Sequence, residues 1–235
     1  MTLPVWPWRL LQPTSQKTRL MNQSISGGIS IAGNTQTAVT TGGGHWVSDL
    51  TGISLITPDQ VRCARAWSAL LDAGATQLVM PLWDLAQAPR PISGGAFVNP
   101  SLPALTLTDY FNNTVGFSSA LMVSTCIGGF ALRATSIVIN IATGSALHGG
   151  EYFSINHPTV GWRLYRVAQV TAVAGSQYTC TIRPPLREAL TTGTTLEFDV
   201  PRCTMKLMGG QADALEPDVT LGRYATINVS FEEAF

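Results

Sequence analysis

The chain has 235 residues, 14 Lys and Arg against 14 Asp and Glu, 45% hydrophobic residues and only 12% charged ones. That length and apolar content support one large or two small folded domains and exclude an intrinsically disordered chain. The zero net charge leaves no basic excess, so nothing suggests a phosphate-tracking nucleic-acid binder, and no apolar run reaches the ~18 residues of a membrane-spanning helix.

The first nine residues (MTLPVWPWR) hold no basic segment followed by an apolar stretch. No secretory signal is therefore expected, and the chain is expected to stay in the cytoplasm where it is made. Gly27-Gly28 and Gly42-Gly43-Gly44 cut the first 56 residues into short pieces that read as β-structure with loops. Trp46 to Ile56 (WVSDLTGISLI) is rich in β-formers, and its interior glycine predicts a bulge or a close backbone approach.

One helix follows. Thr57 is a good N-cap, Pro58 suits the first helical position and Asp59 complements the helix dipole. Val61, Ala64, Trp67, Leu70 and Leu71 make one apolar stripe, and Gly74 is placed to stop the helix in a left-handed conformation. A strand is predicted over 77–83. Prolines at 89, 91, 100 and 103 then break up a weakly patterned stretch, read as a long loop or arm over 96–130.

From Ala131 alternation is strong. Ile137, Ile139 and Ile141 mark one strand, Phe153 and Ile155 a second, and Leu164 to Val173 a third. Tyr178, Cys180 and Ile182 mark a fourth, and Leu196, Phe198 and Val200 a fifth. Apolar residues at every second position mean strands with one wet face. Five short strands separated by turn signals fit a small barrel or sandwich, and an OB-like barrel has the right size. Two further strands carry Cys203, Met205 and Leu207, then Ala225, Ile227, Val229 and Phe231. They are expected to return to the N-terminal sheet. The predicted architecture is thus mainly β. A first domain over 1–95 plus 202–235 carries an inserted OB-like β-barrel over 131–201.

The polar positions are mostly Thr, Ser, Gln, Asn and Gly, which desolvate far more cheaply than charges. Two readings fit: a surface covered by neighbouring subunits, or the neutral exterior of a secreted β-protein. Cys63, Cys126, Cys180 and Cys203 form no C-x-x-C pair and read as buried thiols. His148, Glu151 and His157 sit around a glycine-rich turn and read as exposed hairpin residues, not a metal site. His45 and Asp49 with a serine lack the G-x-S-x-G elbow of a hydrolase. Glu232 and Glu233 read as a solvated strand end or a subunit contact. No catalytic, cofactor or metal residue is assigned. Trp6 and Trp8, flanked by prolines near a chain end, are candidate anchors for a neighbouring subunit, against simple packing on their own sheet.

Four stretches carry a family resemblance: RAWSALL at 65–71 with its following strand, GGEYFSI at 149–155 with RLYRV at 163–167, IRPPLR at 182–187, and VSFEEAF at 229–235. In their order and spacing they resemble the distal tail and minor tail proteins of long-tailed, non-contractile bacteriophages. The resemblance implies a tail-tube-like β-sandwich with one α-helix that closes into a ring, expected to be hexameric, with the second domain outside it. It implies no enzyme activity and no cofactor. The implied place is the virion tail tip, between the tail tube protein and the tip or baseplate hub with its tape-measure-associated proteins, and DNA would pass through the lumen. A heterologous interface closes into such a ring when the rotation per subunit divides the circle. The alternative, from a different class, is a carbohydrate-binding module for host adhesion, with the barrel as its binding part.

Overall fold

The computed structural model describes residues 3–29, 31–40, 42–83, 88–89, 92–93, 96–97, 106–108, 114–116, 122–211, 213–217 and 225–235. Among these the chain is mainly β, with antiparallel sheets and one α-helix. The first strands are β1 (Ser15–Met21), β2 (Ser24–Ile29), β3 (Thr35–Val39) and β4 (His45–Leu55), followed by α1 (Pro58–Leu71) and β5 (Gln77–Pro81). Four short strands pair as hairpins, β6 (Ile92–Ser93) with β7 (Ala96–Phe97) and β8 (Thr106–Thr108) with β9 (Thr114–Gly116). The rest are β10 (Val123–Cys126), β11 (Ser136–Thr143), β12 (Tyr152–His157), β13 (Gly161–Ala174), β14 (Gln177–Arg183), β15 (Arg202–Leu207) and β16 (Ala225–Glu233).

The chain divides into two compact units. The first comprises residues 1–83, 156–164 and 202–235, and the second 84–155 and 165–201. Much of the arm expected over 96–130 lies outside the described residues. Its last part does not, and there Val123–Cys126 forms an edge strand of the second sheet.

The first sheet has the order β1-β4-β16-β15-β5, so the two C-terminal strands sit between strands from the N-terminal third. Its core face follows from alternation. Ile227, Val229 and Phe231 of β16 are buried, while Thr226 and Asn228 between them are exposed. Along β4, Leu50, Ile53 and Leu55 are buried, with a break in register opposite Ile227–Val229. That break is the bulge expected at Gly52. Its φ is +69°, and a Cβ there would lie 2.7 Å from the Thr14 hydroxyl, so only glycine fits.

The helix begins as its sequence predicts. Thr57 and Gln60 form a reciprocal capping box, and Pro58 opens the first turn. It ends earlier than expected. Asp72 and Ala73 already adopt positive φ, so the left-handed stop is shared by three residues and not supplied by Gly74 alone. Gly74 is still required, because a Cβ there would lie 2.9 Å from the Leu207 carbonyl oxygen. Ala64 and Leu71 are buried, but Leu70 at the edge of the predicted stripe is 46% exposed.

The second sheet has the order β10-β11-β14-β13-β12. Its core holds Ile137, Ile139, Phe153, Tyr165, Val167, Cys180 and Ile182, with Phe153 stacked on Phe198 at 5.3 Å. The fifth strand expected over 196–200 is not a regular strand. Residues 194–197 instead make single bridges to both edges of the sheet. Cys126 N–H donates to the Thr194 carbonyl and Leu196 N–H to that of Ser124, while Ser154 and Glu197 exchange both backbone bonds. The sheet is curled far enough that one extended segment reaches both of its edge strands.

Candidate assembly surface

The two tryptophans singled out as anchors occupy different environments. Trp6 is 2% exposed. Its indole lies 5.5 Å from that of Trp67 on α1 and meets Phe231 of β16 edge-on at 5.2 Å, and its Nε1–H donates to the Leu11 carbonyl. It therefore joins the helix to the first sheet within its own unit, and little of its ring remains for a neighbour. This is the simple-packing alternative, and it follows from Val5 pairing with Val79, which draws the chain start across the sheet edge.

Trp8 stacks on Trp83 with ring centroids 4.9 Å apart, and Trp83 is 44% exposed. The pair borders a surface groove of about 350 Å³ shared with Arg9, Gln12, Thr14 and Gln16. Gln16 fixes its floor: Nε2 donates to the Pro81 carbonyl and the Ser48 hydroxyl, and Oε1 accepts from Trp83 N–H at 3.0 Å. The aromatic shelf is held by hydrogen bonds on one side and open to solvent on the other.

The second exposed feature was not singled out by sequence reasoning. In the β2–β3 hairpin every residue of both strands is exposed. Ile25, Ile29 and Val39 are 64, 75 and 74% exposed, and Ile31 in the turn is fully so. No Asp, Glu, Lys or Arg occurs between Arg19 and Asp49. Aliphatic side chains on a wet, uncharged hairpin were the available signal. A two-stranded hairpin with no third element to pack on is marginal in water, and its outer edges are templates for further pairing.

The hairpin leaves and rejoins the first sheet at a tightly built neck. Gly44 has φ +82°, and a Cβ there would lie 2.0 Å from the Met21 carbonyl oxygen. Thr40 N–H and Oγ1 both donate to the Gln23 carbonyl. The Gly42–Gly44 run thus serves a close backbone crossing at the base of the hairpin.

The polar groups weighed as chemistry are committed to structure. Asp49 accepts from Ser230 Oγ at 2.8 Å with one oxygen and pairs with Arg19 through the other. Glu151, expected in an exposed hairpin, is 7% exposed, and its carboxylate accepts the backbone N–H groups of His148 at 2.7 Å and Gly149 at 2.8 Å. Glu233, expected at a solvated strand end or subunit contact, is buried. It accepts from Trp46 N–H at 3.1 Å and pairs with buried Arg163 at 3.5 Å. The glutamate points inward because β16 continues its alternation past Phe231, which places position 233 on the core face.

No family model matches this chain, and a search of the curated proteins finds no match.

Proposed function

We propose that this protein is a structural, non-catalytic component of a bacteriophage tail tip. In this reading the first unit is a tail-tube-like β-sandwich that closes with copies of itself into a ring, hexameric by the family resemblance. The second unit is an OB-like barrel on the ring's exterior, a closure favoured by the way residues 194–197 hydrogen-bond to both edges of the curled sheet. The ring joins the tail tube protein to the tip or baseplate hub, in the virion.

The observation that carries the reading is the fully exposed, uncharged β2–β3 hairpin. Covering an aliphatic side chain returns about 1.5–3 kcal/mol, so its four aliphatics supply roughly 6–12 kcal/mol gross. Bringing two subunits together costs an estimated 4–15 kcal/mol. One hairpin contact therefore does not by itself secure a dimer. A closed ring, where every subunit both gives and receives a hairpin, gains one more contact than an open chain of the same subunits. That favours closure.

Native mass spectrometry and negative-stain imaging of the full chain, alone and with a tail tube protein, test this. The expected result is a six-fold ring or co-assembly with the tube. The paired substitutions Ile25→Lys and Val39→Lys are expected to abolish assembly while leaving the subunit folded. A chain that stays a single subunit at high concentration, with and without tail proteins, overturns the proposal.

A second reading, carbohydrate binding, is favoured by one specific observation, which lies in the first unit and not in the barrel where the sequence places the binding part. The Trp8–Trp83 shelf, with Arg9 and Gln12 beside it, has the aromatic and hydrogen-bonding composition of a sugar platform. A carbohydrate-binding function predicts a glycan-array signal that Trp83→Ala removes.

A further inference from the structure

Ion pairs across the described residues join opposite charges. Arg19 meets Asp49, Arg62 meets Asp59, Arg163 meets Glu233, and Lys206 meets Glu232. The second unit contains two like charges set against each other. Arg166 on β13 and Arg183 on β14 are directly opposite each other in the antiparallel register. Opposed residues share a face with Cβ atoms about 4.5–5.5 Å apart, and like charges in that relation are destabilising. Both side chains are half-buried, which weakens the screening by water that would otherwise make the repulsion small.

Neither guanidinium has a carboxylate partner among the described residues. Arg183 donates only to the adjacent Ile182 carbonyl, at 2.9 Å. Arg166 lies over the Tyr152 ring at 6.0 Å, a loose cation–π distance. Beside Arg166 is an open cavity of about 500 Å³, lined by Arg166, Tyr152, Gly150 and the β13 residues Val167 and Ala168; Arg183 is not part of that lining and faces Arg166 from the next strand. Gly150 has φ +100°, and a Cβ there would meet nothing within 4 Å, so the glycine turn leaves one wall of the cavity open.

We propose that Arg166 and Arg183 together form a binding site for an oxyanion, a phosphate or carboxylate group carried by a small ligand that enters this cavity. One doubly acceptor anion between two guanidiniums turns the like-charge repulsion into two charge-assisted attractions, in the planar fork geometry that suits arginine. Tyr152 supplies a flat apolar wall for whatever carries the anion. The site is independent of the ring proposal, since none of its residues belongs to the hairpin or to the first sheet.

The test uses the full chain with inorganic phosphate and with glucuronate as probes. Labelled arginine Nε–H signals are followed by NMR, and binding is measured by calorimetry at low salt. Expected are saturable shifts of two arginine signals, binding that weakens as sodium chloride is raised, and a loss of about tenfold or more in either Arg166→Gln or Arg183→Gln. Removing one of two opposed charges is expected to leave the unliganded protein at least as stable as before, an outcome that a purely structural role for either arginine does not give. Binding of phosphate alone assigns a phosphoryl ligand. Binding of both probes assigns the site to oxyanions generally, carboxylates included. No saturable shift with either probe, or equal binding by the glutamine variants, overturns the proposal. The NMR titration of the unsubstituted chain decides the matter even if a variant fails to fold.

Discussion

The buried pair between Arg163 and Glu233 offers the sharpest energetic test of the first unit. The two side chains are 4% and 0% exposed, 3.5 Å apart, and the glutamate also holds the Trp46 N–H at 3.1 Å. Replacing Glu233 by leucine leaves a guanidinium buried without its counter-charge, with the Ala234 carbonyl still accepting from it. Breaking one side of such a pair costs about 3–5 kcal/mol. Replacing Arg163 by methionine in the same chain removes the orphaned charge. What remains is the loss of the carboxylate acceptor of Trp46 N–H, worth about 1–3 kcal/mol. The double variant is therefore expected to be more stable than Glu233→Leu alone. All six tryptophans lie in the first unit, so indole fluorescence during urea unfolding reports that unit selectively. With a urea slope of about 2 kcal/mol per molar, a loss of ~4 kcal/mol moves the midpoint by about 2 M. Two results refute the reasoning: a Glu233→Leu midpoint unchanged from the parent, or a double variant no more stable than that single one.

Two further outcomes follow from the same burial. Trp6→Ala is expected to cost about 3–5 kcal/mol in the urea assay, as for other core tryptophans, whereas Trp8→Ala, on a half-exposed stack, is expected to cost about 1 kcal/mol; equal losses would show that Trp6 does not hold the helix to the sheet. For the cysteines, burial pushes Cys126 up to about 11, and burial followed by the nearby Glu151 charge pushes Cys180 up to about 12, from an ordinary 9.0. A pKa raised by folding contributes stability below the unfolded value and loses it as pH climbs through the folded one. The second unit is therefore expected to weaken between about pH 9 and pH 11–12, read as falling urea midpoints by circular dichroism, with a shallower fall in Cys180→Ala. A thiol reagent at neutral pH should label Cys63 first, because the other three are buried.

The parts of the fold that were legible in sequence are those where one face is wet. Ile137, Ile139 and Ile141 alternate with less buried residues along β11, and Tyr178, Cys180 and Ile182 do the same on β14. The helix start was readable because its cap is local chemistry between residues 57 and 60. Periodicity fails in another way where a polar residue turns inward. Thr204, between the buried Cys203 and Met205, is itself buried, because that stretch of β15 is covered on both faces. Glu151 and Glu233 point inward because each has backbone N–H groups or a cation waiting there. Such partners come from residues 2 to 187 positions away, and a periodicity argument sees only the spacing.

The candidate assembly surface went unread for the opposite reason. Ile25, Ile29, Ile31 and Val39 lie on a segment too broken by glycine to show a period, and apolar residues were expected inside. Their exposure is hard to reconcile with a lone subunit in water. Apart from the inward-facing Glu233, the first sheet carries charges that pair across its strands, as Arg19–Asp49–Ser230 and Lys206–Glu232 do. The hairpin continues directly from β1 of that sheet into β4, yet has none of these charges. Long exposed strands are normally guarded by lysine, proline or a bulge pointing inward, because an unguarded edge recruits other chains. Here the one irregularity, between Ser26 and Ile29, leaves both isoleucines in solvent. The sequence thus protects the body of the sheet and leaves the hairpin adhesive. That combination is stable against aggregation only if a defined partner surface covers the hairpin. It is the physical reason behind the proposal that this chain works by assembly.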